Sequence, residues 1–396
     1  MTLLGQQMPW LRSASFALLL PAGCQVEPLR RRGIAGVTTE MVQRGAGNLS
    51  SRDIVALSDN LGLDRSASIS TSHTVFGGSM PAESLPAALE LYAQIVRRPH
   101  LPGDQLEDAR AVALQELRAS EDEPSQRVMM RLKEKHYGEP LGHSSLGKRE
   151  QVEAISIEDV RQFFTENYQP HGAILSIAGN FEWLATVELV EQLFGNWAGR
   201  GDCPVPKVEG AAGYEHMTHP SQQTHIGFSF PALSYDMDDY FTLRAAVGVL
   251  SDGMSSRLFD RVREQRGLCY SVSASCHSLK GAGGVFGYAG TTVERAQETL
   301  DVTLGEIRSL GSTVEADELD RFKVRIQSNL VMQQESSASR AAVMANDWYF
   351  LGRTLEPEEI QQRIDAVSPE GIARLWPSLE IGQSRIVTLG PQSLEV

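Results

Sequence analysis

An ordered internal duplication constrains this chain more than any other feature. Ser50-Ser51-Arg52 and Gly62-Leu63 return as Ser255-Ser256-Arg257 and Gly267-Leu268, both at an offset of 205 residues. Val75-Phe76-Gly77 returns as Val285-Phe286-Gly287 at an offset of 210, and Leu85, Leu89 and Val96 return as Ala296, Leu300 and Ile307 at 211. A drift of a few residues is what loop insertions produce, and matches in a fixed order exclude coincidence. Whatever fold the first half adopts, the second half adopts again.

Each half carries one pattern. An SSR-initiated segment runs into a Gly-Leu turn, and alternating strand segments follow, Ala67–Phe76 in the first half and Tyr270–Tyr288 in the second, the latter broken at Lys280-Gly281. A helix with apolar positions at i, i+4 and i+11 follows, so those side chains share one face. A further amphipathic helix is expected over Leu106–Leu117 and again over Leu319–Leu330. Hairpins interleaved with paired helices read as an α+β fold: two homologous domains, each a mainly antiparallel sheet packed against helices. The Pro- and Gly-rich stretch from Gly199 through Gly213 reads as the connection. The expected division is therefore 1–200, a linker over 201–219, and 220–396.

With 396 residues and 41% hydrophobic content, the chain can fill two cores. Its net charge of −14 repels phosphate backbones, so nucleic acid is not an expected partner. Arg30-Arg31-Arg32 reads as a short surface turn. The apolar run Phe16–Gly23 is far shorter than the roughly 20 residues of a membrane span. Cys24 after it mimics a lipoprotein signal, but Pro21 and the poor cleavage box favour a buried strand ending in a turn. No membrane partner is expected. The four cysteines (Cys24, Cys203, Cys269, Cys276) form no C-x-x-C pair, so reduced thiols in a cytoplasmic protein are expected, with the periplasm as the second compartment.

The order and spacing of several short motifs resemble the pitrilysin/insulinase-type zinc metallopeptidases, in their half-length, mitochondrial-processing-peptidase-like branch. The motifs are Leu20-Pro21-Ala22-Gly23 before Glu27-Pro28 and Gly33-Ile34-Ala35; Tyr137-Gly138-Glu139-Pro140-Leu141-Gly142; Asn167-Tyr168-Gln169-Pro170; Leu193-Phe194-Gly195-Asn196-Trp197; and Asp252-Gly253-Met254-Ser255-Ser256-Arg257-Leu258-Phe259. The resemblance covers the chain from about Ser15 onward and implies one half of a clamshell built of two α+β domains. The family has a strand before this point, and Met1–Arg12 reads only as a short lead.

The family's catalytic motif is H-x-x-E-H: two zinc-binding histidines one helical turn apart and a Glu that activates water, with a third ligand from a later helix. Aligned through Gly33 and Ala35, the first His position is Gly36, the catalytic Glu position is Thr39 and the second His position is Glu40. Glu116 falls at the third ligand, and Ala109 at an acidic position two turns earlier. Two carboxylates without imidazole make at best a weak hard-cation site, so no metal and no cofactor is expected in this chain. No His-x-x-Glu-His string occurs elsewhere, and His216 and His219 read as an exposed pair in the connection.

Family members also carry an Arg and a Tyr seven positions apart, and Arg263 and Tyr270 have that spacing. In the half-length branch this pair reaches the partner chain's zinc centre, where guanidinium and phenol donate to a peptide carbonyl or the oxyanion formed from it. Without the family context, Arg261, Arg263 and Arg266 would read as solvated helix charges and Tyr270 as a packed strand residue. The resemblance thus implies the non-catalytic subunit of a heterodimeric peptidase. Its expected partners are a homologous zinc-binding subunit, which holds the zinc, and a peptide substrate. The alternatives are a structural or peptide-binding scaffold, like the core subunits of a respiratory complex, and a homodimeric binder of unfolded peptides.

Overall fold

The computed structural model describes residues 1–199, 208 and 210–396. The first part of the expected linker, with Cys203, lies outside the described residues. Two compact units emerge, and neither is contiguous in sequence. The first comprises 1–119, 144–206 and 332–354; the second comprises 120–143, 207–331 and 355–396. Each half of the chain therefore supplies a segment to the unit built mainly from the other half, which the expected division at 200 and 220 does not describe.

The first unit holds strands β1 (Thr2–Gln7), β2 (Ser13–Leu20), β3 (Asp64–Ile69), β4 (Thr74–Pro81) and β5 (Ile174–Gly179) in the order β1-β5-β2-β4-β3. Only the β1–β5 pair is parallel. The lead Met1–Arg12 thus contains a strand after all. Its sequence Thr-Leu-Leu-Gly-Gln-Gln alternates poorly, because β1 is an edge strand covered unevenly on its two faces. The helices that precede β5 in the chain are α1 (Ile34–Val42), α2 (Ser51–Asn60), α3 (Leu85–Arg97), α4 (Leu106–Glu121), α5 (Pro124–Tyr137), α6 (Arg149–Glu153) and α7 (Ile157–Asn167), of which α5 belongs to the second unit; α8 (Trp183–Phe194) follows β5.

The second unit repeats this layout. Strands β6 (Gly213–Thr218), β7 (Gln223–Ala232), β8 (Cys269–Leu279), β9 (Ala282–Thr292) and β10 (Arg385–Gly390) take the order β6-β10-β7-β9-β8, with β6 and β10 parallel. Registers agree as well: Thr2 faces Ile174 and Gly213 faces Arg385, 172 residues apart in both pairs. β6 lies inside the expected linker, so 213–218 is sheet rather than connection, and His216 is half-buried in it with Nδ1 2.9 Å from Thr388 Oγ1. The helices of this half of the chain are α9 (Tyr240–Ser251), α10 (Ala296–Thr313), α11 (Ala316–Gln334), α12 (Ser337–Leu351), α13 (Pro357–Asp365) and α14 (Pro369–Leu375), of which α12 belongs to the first unit, with a π-helical segment Leu258–Glu264 before β8.

The exchanged helices explain the composition of the central strands. In β2, Phe16, Leu18 and Leu20 face the core formed with α1 and α3, while Ala17 and Leu19 face Ala341, Met344 and Ala345 of α12. Covered on both sides, the strand is a continuous apolar run instead of an alternating one. In the second unit α5 plays the same part: Val128, Leu132 and Tyr137 pack on Phe286, Val387 and Leu389.

Candidate functional site

Helix α1 begins at Gly33, whose φ of 93° suits glycine and whose Cβ would lie 2.7 Å from Val152. Its first amides are held by Glu27, a buried carboxylate. Oε2 accepts from the Gly33 N–H at 3.0 Å and Oε1 from the Ala35 N–H at 2.9 Å. This is a charged cap at the positive end of the helix dipole, supplied from outside the helix. Sequence reasoning placed Glu27 in a motif but gave it no task.

The helix so fixed forms one wall of a cleft of about 490 Å³ within the first unit. Gly36, Thr39 and Glu40 line it from α1, Ala109 and Glu116 from α4, and Arg65 from the edge strand β3. All five positions aligned with the zinc motif therefore border one space, and their chemistry is not that of a zinc site. Gly36 offers no donor, and a Cβ there would meet nothing nearer than 4.0 Å, so the first ligand position is simply open. Thr39 is buried, and its hydroxyl donates back to the Ala35 carbonyl at 2.8 Å and lies 3.2 Å from the Tyr168 phenol. Burial pushes the Tyr168 pKa up to about 12, so that phenol stays neutral. Glu40 accepts from Arg44 Nη2 at 2.9 Å, and Arg44 Nη1 also lies 3.7 Å from Asp108. A guanidinium already occupies the positive role beside Glu40, which disfavours a second cation there. Zinc does not fit these residues. Among the described residues, no group of three His, Cys, Asp or Glu side chains is placed to hold a metal ion.

Arg263 and Tyr270 lie in the second unit. Arg263 is the penultimate residue of the π-helical segment; its Nε lies 3.4 Å from Glu264 Oε1, and its guanidinium carbon stands 4.6 Å from the centre of the Phe259 ring. Tyr270 sits at a β-bulge: Cys269 pairs with Thr291 and Ser271 with Gly290, leaving Tyr270 unopposed. A bulge turns a side chain out of the pleat. Tyr270 is accordingly 83% exposed, whereas Cys269 is buried with its thiol pKa pushed up to about 11 by desolvation. The Arg263 guanidinium lies 5.2 Å from the centre of the Tyr270 ring, so the two side chains form one patch. Arg261 is engaged differently, donating to Glu306 at 2.7 Å.

Comparison with known proteins agrees with this anatomy. Residues 4–149 match the model of the insulinase family (peptidase family M16), and residues 154–325 match the model of the peptidase M16 inactive domain. An uncharacterized zinc protease of Rickettsia bellii is 26% identical, with 100% of this chain and 96% of that protein covered. The uncharacterized zinc protease YmxG of Bacillus subtilis is 27% identical over 92% of this chain and 91% of its own length. The crystal structure of a peptidase M16 inactive domain from Pseudomonas fluorescens superposes with a TM-score of 0.90 at 20% identity, covering 100% of this chain and 96% of that one. A protease from Helicobacter pylori gives 0.88 at 19% identity, covering 98% and 96%. The duplicated α+β layout, the cleft at the aligned positions and the two family models together place this chain in the M16 peptidase family, as a member without the zinc-binding motif.

Proposed function

We propose that this chain is the non-catalytic subunit of a heterodimeric M16 peptidase and supplies Arg263 and Tyr270 to the zinc centre of its partner. The observation that carries this reading is the contrast between the two sites. At the cleft, both histidine positions and the water-activating glutamate carry other residues (Gly36, Glu40 and Thr39), and only Glu116 keeps the family's residue type. At the bulge, a half-buried guanidinium, paired with Glu264 at 3.4 Å, stands beside an exposed phenol. A pair braced on Phe259 is preorganised to donate to a carbonyl oxygen and to the oxyanion that develops from it. Peptide would add as a strand to a free sheet edge, such as β3 beside the cleft, with backbone hydrogen bonds providing affinity. Reconstitution tests the proposal. The chain alone hydrolyses no peptide, and addition of an M16 subunit carrying H-x-x-E-H produces hydrolysis that depends on Arg263 and Tyr270.

The second reading is a peptide-binding or structural scaffold. It is favoured by the cleft, which persists with an available edge strand although its zinc ligands are gone. A scaffold would bind peptide equally well with Arg263 and Tyr270 replaced. Among the described residues no helix is long and apolar enough to cross a membrane.

A further inference from the structure

Each residue around Arg263 has a counterpart in the first half of the chain. Ser50-Ser51-Arg52 and Gly62-Leu63 stand at one offset of 205 from Ser255-Ser256-Arg257 and Gly267-Leu268, so the stretches between them are equally long. In the first half that stretch is the regular helix α2. Ser50 and Asp53 close a capping box at its start, Arg52 is exposed, and Ile54 and Ser58 are its buried positions. The offset carries Ile54 onto Phe259 and Ser58 onto Arg263. A second-half helix in the same phase would aim Phe259 and Arg263 at the core.

The second half takes another phase. Leu258 and Val262 are the buried positions of the segment, one residue earlier than in α2, and Phe259 and Arg263 are only half-buried. A shift of one residue is a turn of about 100° about the helix axis. It begins at Arg257, which is buried where Arg52 is exposed. Leu258 stands in place of Asp53, so the capping box of α2 has no counterpart here. Instead Arg257 Nε and Nη2 donate to Glu318 Oε1 and Oε2 at 2.7 and 2.6 Å, and Nη1 donates to Thr313 Oγ1 at 2.6 Å. A buried guanidinium needs its acceptors in a fixed fork, and that fork sets which way the first turn faces. Arg261, one turn on, is drawn to Glu306 of α10. The segment then carries one residue more before its Gly-Leu turn: four positions lead from Ser58 to Gly62, and five from Val262 to Gly267. The π-helical widening takes up the extra residue, with the Gln265 N–H donating to the Asp260 carbonyl, five residues back, at 2.8 Å.

From these displaced positions we infer that Arg257 is a positioning residue for the Arg263–Tyr270 patch. Held on Glu318 and Thr313, it turns the start of the segment by one residue. That turn keeps Phe259 and Arg263 out of the core, stacked on each other beside Tyr270. The inference deepens the reading of this pair as donors lent to a partner's zinc centre, and its consequence for hydrolysis rests on that reading.

The test places fluorotyrosine at position 270 of the full chain and records its fluorine NMR resonance. Arg263→Ala gives the resonance of a ring without its guanidinium and so calibrates the scale. Arg257→Lys keeps the charge but not the fork, and the milder Glu318→Gln keeps an acceptor but removes the countercharge. Each is expected to move the resonance at least halfway toward the Arg263→Ala value. In a complex reconstituted with an M16 subunit carrying H-x-x-E-H, each should lower kcat about tenfold with KM little changed, a part of the effect of removing an oxyanion donor outright. Arg52→Lys, at the first-half counterpart, should alter neither readout. A resonance that stays at the parent position in Glu318→Gln, or in a folded Arg257→Lys chain, overturns the inference whether or not the complex hydrolyses peptide. A resonance that moves as expected while the parent complex shows no hydrolysis supports the positioning and removes only the peptidase reading.

Discussion

The guanidinium carbon of Arg263 lies 5.2 Å from the centre of the Tyr270 ring and 4.6 Å from that of Phe259. Arg263 and Tyr270 are seven positions apart, yet the π-helical segment and the β-bulge bring them into one patch. The π-helical segment also buries Leu258 and Val262, but the bulge adds nothing to the core. Tyr270 buries little of its surface, and a regular strand would leave no residue unopposed at this point. Local departures of this kind persist where they aim a side chain.

Arg263→Ala and Tyr270→Phe should therefore separate chemistry from folding. In the reconstituted complex each is expected to lower kcat/KM by about a hundredfold to a thousandfold, the effect of removing one oxyanion donor. The unfolding midpoint of the isolated chain should move little, because exposed substitutions stay within about 0.5 kcal/mol. Full peptidase activity in both variants would remove the proposed role. A peptide-binding assay on the same variants distinguishes the scaffold reading, under which affinity is unchanged and no hydrolysis accompanies it.

The cleft offers the converse experiment. Positions 36 and 40 lie on one helix face, one turn apart. Gly36 has open space before it, and Glu40 is already one-third exposed. The double variant Gly36→His, Glu40→His should acquire stoichiometric zinc, with Glu116 as the third ligand. Adding Glu116→Gln should abolish it. Metal content after gel filtration reads both outcomes. Zinc retained in the triple variant would show that Glu116 is not aligned with the ligand position. The double variant is not expected to hydrolyse peptide, because Thr39 supplies no general base.

Much of this layout was legible in the sequence. The duplication and the two-domain α+β class followed from ordered repeats and from the change between strand and helix periods. The alignment through Gly33 and Ala35 picked out Gly36, Thr39, Glu40, Ala109 and Glu116, which border one cleft. The exchange of α5 and α12 between the units was not legible. A 3.6-residue period states which face of a helix is apolar but not which sheet covers it, and Val128 and Leu132 would pack on either. β1 was missed because Thr2–Gln7 is a half-covered edge strand without alternation. His216 was read as linker for a similar reason: β6 follows a Pro- and Gly-rich stretch, and its sheet position is set by its parallel partner β10, which lies 172 residues away.

Glu27 is expected to be the residue on which the geometry of α1 most depends. Glu27→Ala removes both acceptors from the buried Gly33 and Ala35 amides, which no other side chain replaces among the described residues. A loss of about 2 kcal/mol is expected, typical of a lost cap that leaves buried donors unpaired. Glu27→Gln keeps one acceptor and should recover about half. Denaturant titrations monitored by circular dichroism read the series. A change below about 0.5 kcal/mol in Glu27→Ala would mean that water satisfies these amides equally well.

The second unit should lose stability in acid through two histidines, His136, which is buried, and His277, which is half-buried. The pKa of His136 is held down at about 4, first by burial and then by the Arg385 charge, against a hydrogen bond to the Gly283 backbone that opposes the shift. His277 is also held at about 4, mainly by burial, and its Nδ1 lies 2.7 Å from the Tyr137 phenol. In the unfolded chain both imidazoles titrate near pH 6.5. Between pH 6.5 and 4 the unfolded state binds protons that the folded state does not, so stability falls as pH falls through this window and levels off below it. The depression at His136 alone corresponds to about 3 kcal/mol. His136→Asn keeps a side chain able to hydrogen-bond Ser229 Oγ, to which the imidazole Nδ1 lies at 2.9 Å, and has no proton to take up. Its unfolding free energy should start lower at pH 7 and then decline less steeply toward pH 4 than that of the parent. Parallel curves for parent and variant would show that His136 titrates alike in the folded and unfolded chain, and the acid sensitivity would then rest with His277 and the carboxylates held low by their cations, such as Glu215 against Arg131.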